Sequence, residues 1–302
     1  MAAIIPEGRT VWGFQLPIQS QSTIYVQPWE VDAGTEELAQ IVEAAERAGA
    51  FYVAVCDHIG IPRPADESMS ATWYDTIATL GWIAGITESV HLLSPVYVLP
   101  YRHPLMTAKA FSTLDALSDG RVICGVGAGH LDAEFAMLGV DHESRGRDRE
   151  SARPVLRSAF EESYPVVDIA GEPHEVGMSP RPSRAGGPPI WVGGSSPAAI
   201  RRAAQLADGW LPQGPPEIGT RGAIARIREL RERAGLPEAF DMGFNCAPVH
   251  LDGTNSEQVS EGLARLAERG INQLQLRFTA DSAAEYCEQV ERFGAEVAPH
   301  LD

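Results

Sequence analysis

Four short stretches of this 302-residue chain hold side chains whose types and spacing can do chemistry. Asp57-His58 closes the apolar run FYVAVC. A histidine there suits general acid or base work, because its charge changes between about pH 5 and 8. The plainer reading is a histidine tied to a neighbouring loop. Gly193-Gly194-Ser195-Ser196-Pro197 joins a short apolar strand to a helix. Two glycines allow close backbone approach, a serine can cap the helix, and Pro197 suits its first position. Free N–H groups and the helix dipole then make a ready phosphate site, against the plain alternative of a capped helix on a tight turn. The same residues fall one short of a nucleophile elbow, with Ala198 where the pattern wants Gly; Asp208 or Asp241 with His250 would complete a hydrolase triad.

The third stretch, Gly125 to His130, reads GVGAGH. It misses the dinucleotide pattern GxGxxG, since His130 stands where the last glycine belongs. It reads as a strand end where the backbone approaches something flat or anionic, or as a plain rim turn, and it places a second histidine, His130, on the same rim. The fourth is Ser94-Pro95-Val96, which interrupts a strand. Proline has no N–H for a ladder, so a central strand holds it only at a bulge. No dense His/Cys/Asp/Glu spacing suggests a metal.

The elements that must position these residues alternate along the whole chain. Expected strands are Val11–Leu16, Phe51–Cys56, His91–Leu99, Val122–Val126, Ile190–Val192, Gly209–Leu211, Met242–Val249 and Gln273–Phe278. Expected helices are Thr35–Ala48, Trp73–Ile86, one opened by His103-Pro104, Ser151–Glu162, one from Pro197 to before Gly209, Ile218–Ala234, Ser256–Arg269 and Ala283–Val297. Eight consecutive βα units predict an α/β chain forming a single (β/α)8 TIM barrel over 1–302, and favour closure over a doubly wound sheet. Long loops at Pro17–Gly34, Ile59–Thr72 and His130–Glu150 follow strands one, two and four, on the rim where barrel enzymes build their sites. Tyr164–Pro189, between helix four and strand five, is read as an irregular excursion over the barrel.

Composition excludes some functions. Acidic residues number 41 and basic residues 24, a net charge of −17, which disfavours nucleic acid as a partner. Only one of the basic residues, Lys109, is lysine. Four scattered cysteines without a CxxC pair predict no disulfide framework and a reducing, cytoplasmic setting. The start MAAIIPEGR lacks a basic-then-apolar leader, and no apolar run reaches the ~18 residues of a membrane span.

The ordered set FQLPI, VCDH, SPVYVLPYRHPLMTAKA, LDALSDGRVICGVGAGHLDAEFAMLGVDHESRGR and PPIWVGGSSPAAIRRAAQLADGWLP resembles the luciferase-like monooxygenase superfamily, and within it the branch that uses the deazaflavin coenzyme F420. The resemblance implies a barrel with the coenzyme across its C-terminal mouth and a homodimer. It implies a strand-three bulge with a non-prolyl cis peptide, by position Pro95–Val96, with Ser94–Pro95 as the alternative. Asp57 and Ser94 match positions at the deazaflavin ring edge, with Pro95 and Val96 behind the ring. His58 matches the catalytic histidine of sugar-phosphate-oxidising members, which carry a Glu acid where this chain has His130. Proton transfer is then left to His58, His130 or a bound water. Gly193, Gly194, Ser195 and Ser196 match the segment receiving the coenzyme phosphate. Gly127 and Gly129 would flank its side chain, and Arg145 and Arg147 would meet its acidic tail. The implied activity is hydride transfer between F420 and a small organic substrate, with an FMN-dependent monooxygenase as alternative.

Overall fold

The computed structural model describes residues 3–143, 154–169 and 171–301. Its central feature is a closed ring of eight parallel strands: β1 (Val11–Gln15), β2 (Tyr52–Ala54), β3 in two parts (His91–Leu93 and Tyr97–Val98), β4 (Val122–Gly127), β5 (Ile190–Gly193), β6 (Gly209–Leu211), β7 (Asp241–Asn245) and β8 (Gln273–Leu276). Each pairs with its sequence neighbour, and β8 closes onto β1 with Val11 opposite Gln273. Among the described residues, eight helices surround the ring: α1 (Thr35–Arg47), α2 (Thr76–Ile86), α3 (Pro104–Leu117), α4 (154–161), α5 (Pro197–Leu206), α6 (Gly219–Arg233), α7 (Ser256–Ala267) and α8 (Ala283–Arg292). The expected (β/α)8 barrel is therefore the fold.

Alternation along each strand explains why the strands read as unbroken apolar runs: both faces are buried. Tyr52, Ala54, Leu93, Ile123, Trp191 and Leu211 fill the barrel interior, joined by Ile5 from the leading segment. Their neighbours Val53, Leu92, Val122, Cys124, Ile190 and Val192 face outward into the layer packed under the helices. Asp241 seals the base, accepting the N–H groups of Ile4 and Ile5 at 2.9 and 3.3 Å and Trp191 Nε1 at 3.0 Å. Burial pushes its carboxyl up to about 6.

The third strand breaks where Pro95 predicts it. Leu93 stands opposite Ile123 and Tyr97 opposite Val126, so three residues of β3 face only two of β4. That one extra residue is a β-bulge. The cis peptide is Pro95–Val96, which decides between the two bonds. The bulge needs room that only glycine leaves. A Cβ on Gly125 would sit 2.1 Å from the Ser94 carbonyl oxygen, and one on Gly127 or Gly193 would sit 2.3 or 2.4 Å from a Val96 methyl.

The loops hold structure that the sequence pattern did not signal. Residues in Tyr164–Pro189 form an antiparallel hairpin, Val166–Ile169 with Glu172–Glu175. Gly171, at φ +90°, donates its N–H to the Asp168 carboxylate and turns the chain. Short helices Asp66–Met69 and Asp132–Leu138 lie in the rim loops. The last helix is shorter than expected, giving way after Arg292 to a π-helical turn over Phe293–Val297.

Gly127→Ala is expected to cost about 1–3 kcal/mol or more through overpacking. Gly81→Ala, in α2 with nothing within 4 Å of an added Cβ, is expected to be neutral or stabilising by ~0.5–1 kcal/mol. Urea unfolding of the two variants checks this; equal stabilities would contradict the packing of the bulge.

Candidate active site

The parallel strands deliver Asp57, His58, Ser94, His130 and Gly193–Ser196 to the barrel's C-terminal rim. His58 is the focus. Its side chain is 9% exposed, and Nδ1 lies 2.9 Å from Oε2 of Glu134, which is fully buried. Glu134 rises from the short helix Asp132–Leu138. It also accepts the Tyr101 hydroxyl at 2.7 Å and the N–H groups of Ile59 and Gly60. Burial alone would raise its pKa, but the hydrogen bonds from His58, Ile59 and Tyr101 outweigh burial and hold the carboxyl below its usual range. Burial, then Glu134 itself, pushes the Tyr101 hydroxyl up, so it stays a donor. An ionised carboxylate can only accept, so Nδ1 of His58 must donate and Nε2 of the neutral ring carries the lone pair. Nε2 makes no hydrogen bond among the described residues.

Two rings flank His58. The indole of Trp73 lies 4.3 Å away and the His130 imidazole 5.6 Å away, edge on. Burial first, then the neighbouring His58, lowers the His130 pKa. The two histidines singled out in the sequence are thus brought together, with Glu134 and Tyr101 as partners.

Asp57 turns away from His58. Both its carboxylate oxygens pair with Arg102, at 2.7 and 2.8 Å, and Oδ2 accepts the Val98 N–H at 2.8 Å. The Arg102 guanidinium lies 4.2 Å above the Tyr97 ring. Asp57 therefore ties the end of β2 to the far half of the bulged β3. Ser94 is buried, and its hydroxyl donates to the Gly125 carbonyl at 2.9 Å.

At the mouth of β5, Ser196 caps α5 by accepting the Ala199 N–H at 3.2 Å, and Ser195 donates to the Gly214 carbonyl at 2.6 Å. The N–H groups of Ser195, Ser196 and Ala198 have no partner among the described residues. Three free donors at the start of a ten-residue helix fit a phosphate. The open space beside Gly127 and Gly193 is taken by Val96, and a Cβ on Gly129 would meet Phe135 and Val98 at 2.8 Å. What the GVGAG backbone approaches is thus the protein's own bulge and the Glu134 helix. Arg145 and Arg147 lie outside the described residues.

The hydrolase triad is not assembled. Ser196 is a helix cap, while Asp208 and Asp241 lie at the opposite, N-terminal ends of β6 and β7. Asp208 accepts the Ile190 N–H and pairs with Arg157. His250 Nδ1 contacts the Thr279 carbonyl. Sequence reasoning missed Glu134, Tyr101 and Arg102. Each lies 33 to 76 residues from the partner it serves, so no local spacing could signal it.

Residues 13–298 match the family model for luciferase-like monooxygenases. The chain is 29% identical over 255 residues to an uncharacterised protein of Mycobacterium tuberculosis, covering 79% of this chain and 83% of that one. It is 33% identical over 162 residues to a 4-hydroxyprotoasukamycin monooxygenase of Streptomyces nodosus, covering 51% of this chain and 43% of the relative. It is 29% identical over 209 residues to an F420-dependent glucose-6-phosphate dehydrogenase of Nakamurella multipartita, covering 67% and 60%. Among solved structures, an F420-dependent secondary alcohol dehydrogenase bound to an F420–acetone adduct superposes with a TM-score of 0.76 at 17% identity, covering 97% of this chain and 99% of that one. A monooxygenase from Streptomyces bottropensis gives 0.72 at 19% identity, covering 97% and 100%.

The lowered pKa of Glu134 has a signed consequence. A carboxyl depressed in the folded state contributes stability at neutral pH that fades as pH falls below its unfolded value. Glu134→Gln is expected to lower stability at pH 7 by about 1–3 kcal/mol and to show a shallower loss between pH 5 and about 3. Urea unfolding across that range checks it; parallel pH dependence in both proteins would contradict an ionised, His58-bound Glu134.

Proposed function

Because the chain belongs to the luciferase-like monooxygenase family, we propose that it is an F420-dependent oxidoreductase that interconverts an alcohol and a carbonyl compound. The observation that carries this reading is the His58–Glu134 pair on the barrel rim. Alcohol oxidation removes a hydride from carbon and a proton from oxygen, so it needs a base fixed beside the reacting carbon. His58 meets that need: Glu134 fixes the proton on Nδ1, and Nε2 is left to take the substrate proton or return it in the reverse direction. Tyr101 and the Ile59 and Gly60 N–H groups hold the Glu134 carboxylate in place. Burial and the neighbouring His58 lower the His130 pKa, which favours its uncharged form next to the His58 ring.

The deazaflavin supplies the hydride donor or acceptor when bound. The N–H groups of Ser195, Ser196 and Ala198 would hold its phosphate, and the Ser94–Val96 bulge would support the ring. Relatives with F420 in their names support this choice.

The monooxygenase relatives favour a second reading, an FMN-dependent monooxygenase. The same phosphate cradle would serve FMN. Absorbance and fluorescence titration of the purified protein with F420 and with FMN separates the two. The proposal expects saturable F420 binding at least tenfold tighter than FMN. Tight FMN binding without F420 binding would overturn it.

A further inference from the structure

We propose that the outer wall of the barrel carries a second binding site, a groove between α6 and α7 that takes a small carboxylate with a hydrocarbon body. None of its lining residues takes part in the His58 pair, the β3 bulge or the α5 phosphate cradle. The inference therefore stands apart from the coenzyme reading.

The groove exists because one strand is poorly covered. Outward-facing residues elsewhere in the ring, such as Val53, Leu92, Val122 and Ile190, are fully buried under the helices. On β7 the outward positions are Met242, Phe244 and, just past the strand, Cys246. Met242 is buried, but Phe244 and Cys246 are only half-buried. The helices on either side lean elsewhere. Helix α6 packs on α5, α7 packs on the π-helical turn after α8, and α6 and α7 scarcely touch. Two cavities occupy the gap. One, of about 350 Å³, is lined by Thr220, Arg221, Phe244, Leu266, Arg269 and Ile271. The other, of about 490 Å³, runs past Val259 and Leu263 to Cys246 and Pro248. Phe244 and Leu266 line both, so the two cavities adjoin. Each has the size of a small-molecule site, with apolar walls that suit a hydrocarbon body.

Charge selects the head group. The chain carries a net charge of −17, yet no carboxylate lines either cavity. The guanidinium groups of Arg221 and Arg269, at the smaller cavity, make no ion pair or hydrogen bond among the described residues. Arg228 of α6 reaches over Gly270, beside Arg269, and is likewise unpaired among them. Arg226 and Arg233, on the same helix, are both paired with Glu229. Helix α6 thus neutralises the arginines that face away from the cavity and leaves those at its edge free. A planar guanidinium matches a carboxylate in geometry as well as charge. Two free guanidiniums beside an apolar floor therefore fit a ligand with an anionic end and a hydrocarbon body.

Calorimetric titration of the protein without coenzyme, with octanoate, hexanoate and 1-octanol, tests the site. Octanoate is expected to bind saturably, about tenfold tighter than hexanoate through two more buried methylenes, and at least fivefold tighter than 1-octanol. Arg221→Gln with Arg269→Gln is expected to weaken octanoate at least fivefold and to leave 1-octanol unchanged. Thr220→Glu sets a carboxylate against the two arginines, in the first turn of α6 where the helix dipole favours an acid. It is expected to weaken octanoate equally, and thermal melting checks that both variants stay folded. Octanoate affinity that both variants leave unchanged, or 1-octanol binding as tightly as octanoate, would overturn the inference.

Discussion

The mouth of this barrel depends on one extra residue in β3. Three residues, Ser94 to Val96, must fit opposite two of β4. The surplus is accommodated because Gly125, Gly127 and Gly193 leave room for the Ser94 carbonyl and the Val96 methyls. A second contact holds the far side: Asp57 grips Val98 N–H and Arg102 together. Asp57 is 1% exposed at its side chain, so losing Arg102 would strand a buried charge, a change that typically costs several kcal/mol. The bulge is thus clamped by steric fit on one side and by a charged hydrogen-bond network on the other. The His58 relay sits beside it, since His58 follows Asp57 directly and Tyr101 precedes Arg102.

The electrostatics are local. A chain with a net charge of −17 repels an anionic coenzyme at long range, with most of that field screened beyond about 8–10 Å in physiological salt. Backbone N–H groups at the start of α5 suit this setting, because they attract a phosphate without any side-chain cation. Two described arginines near the mouth serve architecture: Arg102 locks β2 to β3, and Arg277 ties β8 to the loop after β1.

The architecture was legible in the sequence because the barrel strands are buried on both faces, so they appear as short apolar runs between amphipathic helices. His58, Pro95 and the glycines were legible for a related reason: they stand at strand ends or break a strand, where a residue's type is conspicuous. What the glycines accommodate was not legible. Gly127 reads as close approach to a ligand, while Val96, thirty-one positions earlier, fills the space. Glu134 was hidden in DAEFAML, a seven-residue helix too short to show a period. Ser196 fitted both a helix cap and a nucleophile elbow one glycine short; it is the cap, and the partners that would activate it as a nucleophile lie at the other end of the barrel.

The central claim is that Nε2 of His58, oriented by Glu134, carries the proton of the reaction while the bulge and the α5 terminus bind the coenzyme independently of it. His58→Asn tests it directly: coenzyme dissociation constant and the stopped-flow rate of F420 reduction by a secondary alcohol are measured on the same preparation. The account predicts a rate lower by about 10²–10⁴-fold, with coenzyme affinity changed by less than threefold. An unchanged rate, or a loss of rate explained wholly by lost coenzyme binding, would contradict it.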